Sequence, residues 1–187
     1  MKAYWFAVAS AALLFTSCIS IHFSTPSSQA YNKLTESQKA SIQFDAPNFC
    51  EAKNEDKLYA VNAAQVKQCL KNYEKSIMYF WAPHCHGDHC VPLSFFVNAC
   101  REKGYHPIIV VEYLAYPEVI EMNNSDVPIF MMDHRYYQVS KTQQCRKPFF
   151  DELTHLTKKQ QHSGARYYTF QGDQFQSQVV DIKTLGK

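Results

Sequence analysis

The stretch Met78-Tyr-Phe-Trp-Ala-Pro-His-Cys-His-Gly-Asp-His-Cys-Val-Pro92 changes character halfway along. Through Trp81 it continues an apolar, aromatic run that starts at Ser76, the pattern of a short buried strand. Beyond Pro83 it turns polar and carries two cysteines, Cys85 and Cys90, with four residues between them. His84, His86 and His89 crowd around these thiols. A strand that delivers a Cys pair to the start of a helix lowers thiol pKa and makes disulfide exchange fast. The helix is expected over Pro92–Lys103, with Pro92 in its first turn and Gly104 at its C-terminal end. Leu93, Phe96, Val97 and Cys100 form its inner face.

The flanking segments alternate between helix and strand. Asn62–Lys75 reads as a helix, because Val66, Cys69, Leu70 and Tyr73 fall at i, i+3, i+4 and i+7. Pro107–Leu114 is a β-branched, nearly continuous strand, and Val127–Asp133 is a third strand headed by Pro128. Pro117–Asn123 is a short helical or loop segment. Tyr136–Ser140 is a candidate fourth strand, and Pro148–Lys159 a further helix. Tyr167–Ile182 reads as a hairpin turning at Gln171–Gln174. Continuous apolar strands alternating with helices argue an α/β fold: one mixed sheet, covered on both faces by helices, in a single domain.

The N-terminus carries an export signal. Lys2 precedes an apolar run from Ala3 to Phe15, which is short for a membrane span and right for a signal-peptide core. Leu14-Phe-Thr-Ser-Cys18 resembles a lipoprotein signal, with Cys18 as the lipidated residue; cleavage after Ala30 is the competing route. The expected organisation is a signal peptide over 1–17, a polar tether over 18–48 and the folded domain over 49–187. Without Cys18, six of the seven cysteines remain, and an even count in an exported chain suggests pairing with 15 connectivities open. This points to an oxidising compartment, a bacterial periplasm, with the chain lipid-anchored to a membrane. Nineteen basic residues against seventeen acidic ones give no patch for nucleic acid.

Phe80-Trp-Ala-Pro-His-Cys85, the helix after it and the placed Pro128 resemble the active-site region of the thioredoxin superfamily. In that family Phe-Trp-Ala precedes a Cys-x-x-Cys pair; here the step between cysteines is two residues longer. The resemblance implies a thioredoxin-like sheet and thiol–disulfide oxidoreductase activity on exported, cysteine-containing proteins, with a redox partner in the membrane. It implies Cys85 as the attacking thiol, Cys90 as the resolving one, and Pro128 as a cis-proline beside the pair. The hairpin at Tyr167–Ile182 is the rival for the terminal strand pair of the sheet, which would make the Val127 strand an insertion. His84, His86 and His89 are the pKa-tuning groups, because an imidazolium beside a thiolate stabilises the reduced form and makes the disulfide more oxidising. The loop also resembles, more loosely, that of thioredoxin-fold copper chaperones, with Cys85, Cys90 and a distant His134 as ligands for Cu(I). A third reading makes the cysteines mere staples in a non-catalytic thioredoxin-fold subunit of an envelope assembly. Cys69 and Cys100 sit on apolar helical faces as small core hydrophobes, although Cys50 and Cys69 flank one helix and are placed to pair. A bond from Cys145 to Cys100 or Cys50 is also open.

Mass spectrometry of the mature protein is expected to find a diacyl or triacyl group on Cys18. A mature N-terminus at Tyr31 would refute lipidation and keep export.

Overall fold

The structure is a computed structural model and describes residues 31–46, 49–55, 57–85, 87, 90–112, 116–139, 142–157, 159–162 and 164–184. In chain order the helices and strands are α1 (Glu36–Ala40), β1 (Ile42–Gln43), β2 (Leu58–Val61), α2 (Ala63–Leu70), β3 (Lys75–Trp81), α3 (Leu93–Glu102), β4 (His106–Val111), α4 (Tyr116–Glu121), β5 (Ile129–Met132), α5 (Arg146–Thr154), β6 (Tyr167–Gln171) and β7 (Gln174–Val179). The strands form one mixed sheet in the order β1-β2-β5-β4-β3-β6-β7. The first five of these run parallel; β6 is antiparallel to β3, and β7 to β6.

Alternation along the strands sends side chains to two separate cores. Ile77, Tyr79 and Trp81 of β3 join Ile109 and Val111 of β4 beneath α3 and α4, where Leu93, Phe96, Val97, Cys100 and Val119 meet them. Met78 and Phe80 join Ile108 and Val110 on the opposite face, under α2 and α5. This is the α/β fold, one mixed sheet flanked by helices in a single domain, that the alternation of apolar segments predicts.

The element boundaries have local causes. Asn62 caps α2 in a reciprocal capping box with Gln65. That helix stops at Leu70, short of the expected Lys75, because Tyr73 leaves the helical path and stacks on His106, with ring centroids 3.5 Å apart. The α3 helix ends as expected at Gly104, whose φ of +73° suits glycine; its N–H and that of Tyr105 donate to the carbonyls of Arg101 and Cys100. No strand forms at 136–139: Asp133 Oδ1 accepts from the N–H groups of Arg135 and Tyr136 and turns the chain. Ser140 lies outside the described residues. The fifth helix begins at Arg146 and ends at Thr154, where His155 is left-handed at φ +56°. The hairpin is present as expected, turning at Gly172-Asp173.

Two strands were not legible. Leu58-Tyr-Ala-Val61 is fully buried, yet four residues are too few to show a period. β1 is two residues long and pairs with β2 at Ile42↔Leu58. The polar segment expected as a tether thus joins the fold from Tyr31 onward. Leu34 and Ile42 are buried, Tyr31 and Phe44 pack edge to face, and Arg135 lies over Phe44 while bonding Asp45. Residues 1–30, Cys18 among them, lie outside the described residues. No helix among the described residues is long and apolar enough to cross a membrane.

A disulfide joins Cys50 to Cys69 of α2 across 19 residues, with Cα atoms 5.3 Å apart. It anchors the short 3-10 turn Phe49–Glu51 to that helix. Replacing both cysteines with alanine is expected to lower stability by about 3 kcal/mol, from the loop-closure entropy regained by the unfolded chain. Urea midpoints under non-reducing conditions test this, and an unchanged midpoint would make the bond incidental. Burial, with Arg101 adding to it, pulls the His106 pKa from 6.5 down to about 4. The unfolded chain takes up this proton below 6.5 while the folded chain waits until about 4. The contribution is therefore present in full above pH 6.5 and is lost as pH falls through that window. Thermal melts of His106→Gln should show a smaller drop in Tm across the window than the parent; an equal drop would place the pH sensitivity elsewhere.

Candidate functional site

β3 ends at Trp81, and the chain leaves the sheet through two tight turns. The Cys85 N–H donates to the Ala82 carbonyl at 3.1 Å, and the Cys90 N–H to the Gly87 carbonyl at 2.9 Å. These turns return the loop on itself, so that Cys85 and Cys90 are disulfide-bonded with Cα atoms 5.7 Å apart. That separation is within the usual range for a disulfide, so the longer Cys-x4-Cys step closes without displacing the strand or the helix. Both cysteines are half-buried, and His84 is exposed. His86, Asp88 and His89 lie outside the described residues.

The pair opens into a cleft of about 300 Å³, lined on its inner side by Tyr79 and Trp81 and on its outer side by Met122 and Asn124. Tyr79 is buried, which raises its pKa, and its hydroxyl donates towards the Val91 carbonyl at 3.5 Å. Tyr79, Phe96 and Tyr167 pack ring on ring beneath the cleft.

The first helical residue of α3 is Leu93, three positions after Cys90 and eight after Cys85. Pro92 occupies the N-cap and supplies no side-chain bond. The Ser94 N–H is instead taken by Asn124 Oδ1 at 3.1 Å, from the loop between α4 and β5. The positive end of this helix is thus nearer to Cys90 than to Cys85 in the chain and is already partly neutralised.

Pro128 occupies a different place from the one the resemblance implies. The antiparallel neighbour of β3 is β6, and the Val127 strand is the parallel β5 beyond β4. Tyr79 aligns with Ile109, and Ile109 with Ile129, so Pro128 sits level with Met78, at the head of its strand. The Cys loop springs from the tail of β3, two strands away, about 10 Å across the sheet. No peptide bond among the described residues is cis. The backbone that faces the end of β3 is Arg166, whose carbonyl accepts from the Phe80 N–H at 2.7 Å. The hairpin takes the position beside β3, with β6 burying Tyr167, Tyr168 and Phe170 and β7 at the edge, while β5 lies between β4 and β2.

Beside Trp81 is a charged cluster that the sequence did not announce. The Glu112 N–H donates to the Trp81 carbonyl at 2.6 Å. The Glu112 carboxylate accepts from Arg146 at 3.0 Å and Arg166 at 2.7 Å. Glu112 is only 20% exposed, and it ties the starts of α5 and β6 to the end of β4. The available signal was an acidic residue directly after a continuous apolar strand, where burial demands a cationic partner.

His134 follows β5 and packs against Tyr31 and Phe44, and burial lowers its pKa. Among the described residues no three His, Cys, Asp or Glu side chains are grouped so as to hold a metal ion, so His134 does not join Cys85 and Cys90 in such a cluster. Cys100 and Cys145 are buried free thiols on opposite faces of the sheet, which excludes a bond between them, and Cys50 is bonded to Cys69. Burial pushes the Cys100 thiol far up and that of Cys145 to about 12, so both behave as small core hydrophobes rather than nucleophiles. The even cysteine count therefore resolves into two bonds and two core thiols.

Compared with known proteins, the chain matches no family model, no curated protein and no solved structure.

Proposed function

We propose that this protein carries out thiol–disulfide exchange on exported, cysteine-containing polypeptides through Cys85 and Cys90. The observation that carries this reading is the bonded, half-exposed Cys pair lining an open cleft at the end of a central strand. A structural staple needs no cleft beside it; a disulfide that exchanges needs room for an attacking sulfur. The Cys50–Cys69 bond, on the far face of the sheet, also has a cleft beside Cys50, but its Cys69 is buried, whereas Cys85 and Cys90 are both half-exposed.

In the oxidised protein a client thiolate attacks the Cys85 sulfur. The Cys85–Cys90 bond breaks, and Cys90 departs as a thiolate that takes a proton. A second client thiolate attacks the client sulfur of the mixed disulfide and releases Cys85. The client leaves with a disulfide, and the Cys pair has gained two electrons and two protons. The reverse sequence starts from reduced Cys85 and a client disulfide. A membrane redox partner would reset the pair, and the lipid anchor at Cys18 would hold the protein at the periplasmic face where that partner is reached. Two disulfides among the described residues agree with an oxidising compartment.

His84 directly precedes the attacking residue, and an imidazolium there would favour its thiolate. Cys90→Ser is expected to accumulate mixed disulfides with client proteins on non-reducing gels, whereas Cys85→Ser accumulates none. Equal trapping by both variants, or trapping by neither, would count against these roles.

A further inference from the structure

We infer that the side-chain amide of Asn124 donates a hydrogen bond to the Cys90 sulfur when that sulfur leaves as a thiolate. This rests on the disulfide-exchange reading and names a further residue of the same site.

Asn124 comes to the cleft from outside the Cys loop, on the chain between α4 and β5, and lines it together with Cys85 and Cys90. The two ends of its carboxamide are distinguishable. The Ser94 N–H can only donate, so the atom it meets at 3.1 Å is the acceptor Oδ1. The Nδ2 group lies on the other side of the amide and makes no bond among the described residues. By contrast, the Tyr79 hydroxyl, which also lines the cleft, is already directed to the Val91 carbonyl. An amide whose carbonyl accepts a bond is a better donor at its nitrogen, because the two bonds polarise it in the same sense. The N–H that Asn124 takes up belongs to the first turn of α3, so the amide carries the positive end of that helix one group further.

Position favours Cys90 over Cys85. Cys90 is four residues before Ser94, and the intervening Val91, Pro92 and Leu93 also line the cleft. Cys85 is nine residues before Ser94. The backbone N–H of Cys90 is spent on the Gly87 carbonyl, which leaves its sulfur to a side-chain donor.

The donor is fixed before the reaction. On one side of it Asn123 donates to Asn54 and to the Val127 carbonyl, and its Oδ1 accepts from the Ser125 N–H and hydroxyl. On the other side Asp126 bonds Arg101 at 3.0 Å. The amide therefore need not reorganise as charge develops. When a client thiolate attacks Cys85, a bond forms between those two sulfurs. The Cys85–Cys90 bond breaks, and its electron pair stays on Cys90. Asn124 Nδ2–H faces that charge and keeps its proton; the thiolate is protonated afterwards by water. A client lying over the cleft excludes water and strengthens the bond.

Titration of Cys90 in the mature Cys85→Ser protein tests this. Among the described residues Cys90 is then the accessible thiol, since Cys50 and Cys69 are bonded and Cys100 and Cys145 are buried. In that background Asn124→Ala is expected to raise the proton affinity of Cys90 about tenfold, read from thiolate absorbance. With both cysteines present, Asn124→Ala should slow the opening of the disulfide by reduced glutathione about threefold, because a more basic sulfur leaves more slowly. The sign of the titration shift is decisive. If Asn124 served only to cap α3, its removal would free the Ser94 N–H, and the titration would move the other way or stay in place. Either result would overturn the donor. Met122→Ala, on the same wall but without an amide to lose, should leave the titration unchanged; a matching shift there would assign the effect to the wall and also overturn the donor. Exchange is scored separately. A parent protein that forms no mixed disulfide with glutathione or with a cysteine-bearing peptide sinks the exchange reading, while the titration still decides whether Asn124 meets the sulfur.

Discussion

Everything at this site depends on β3 being hydrogen-bonded on both edges and covered on both faces. Its parallel ladder to β4 runs from Ser76 to Trp81, and its antiparallel ladder to β6 from Lys75 to Tyr79. Tyr79 and Trp81 are locked into one core, Met78 and Phe80 into the other. A one-residue slip would exchange these sets and place Tyr79, Phe80 and Trp81 in the wrong cores, so the register is strongly specified. The position at which the chain leaves the sheet, and hence the base of the Cys loop, is fixed by that packing and not by the loop.

The same end of the sheet gathers a cluster of paired charges. Glu112 holds Arg146 and Arg166, and Arg146 also lies over the Phe80 ring. One carboxylate shared by two guanidinium groups is satisfied at both oxygens, which is the condition under which a partly buried charge stabilises a structure. Its effect is mechanical as well: the end of β4 and the starts of α5 and β6 are clamped beside the last residue of β3. The Cys loop is therefore mounted beside this clamp, while the loop is itself held by two backbone turns and a disulfide.

What was legible in the sequence followed burial. Ser76–Trp81, the helix behind Pro92, the strand after Pro107 and the terminal hairpin all carry long apolar patterns, and all are present. The cysteine loop was found because its residue types are chemical, whatever the fold. The misplaced features were those decided by tertiary competition. Pro128 had the local context of a proline heading a terminal strand, but strand order is set across the whole sheet, where β6 pairs with β3 and β5 pairs with β4 and β2. Tyr73 fitted a helical face until His106, 33 positions later, offered a stacking partner. The wall of the cleft was illegible for the same reason. Met122 fell in a segment read as a short helix or loop and Asn124 just beyond it, and only the crossover from β4 to β5 brings them to the head of α3.

The longer step between the cysteines has a chemical consequence. In this loop the N–H groups of Cys85 and Cys90 are already spent on the Ala82 and Gly87 carbonyls, and the Ser94 N–H of α3 is held by Asn124. The backbone donors that would ordinarily stabilise a thiolate at a helix start are thus engaged before any thiolate forms. Neither Cys85 nor Cys90 belongs to the first helical turn, so the helix dipole reaches Cys85 weakly. On the exchange reading, stabilisation of the thiolate then falls to side chains, and the loop is rich in the one side chain that changes charge near neutral pH. His84, His86 and His89 would then take the place of those backbone donors.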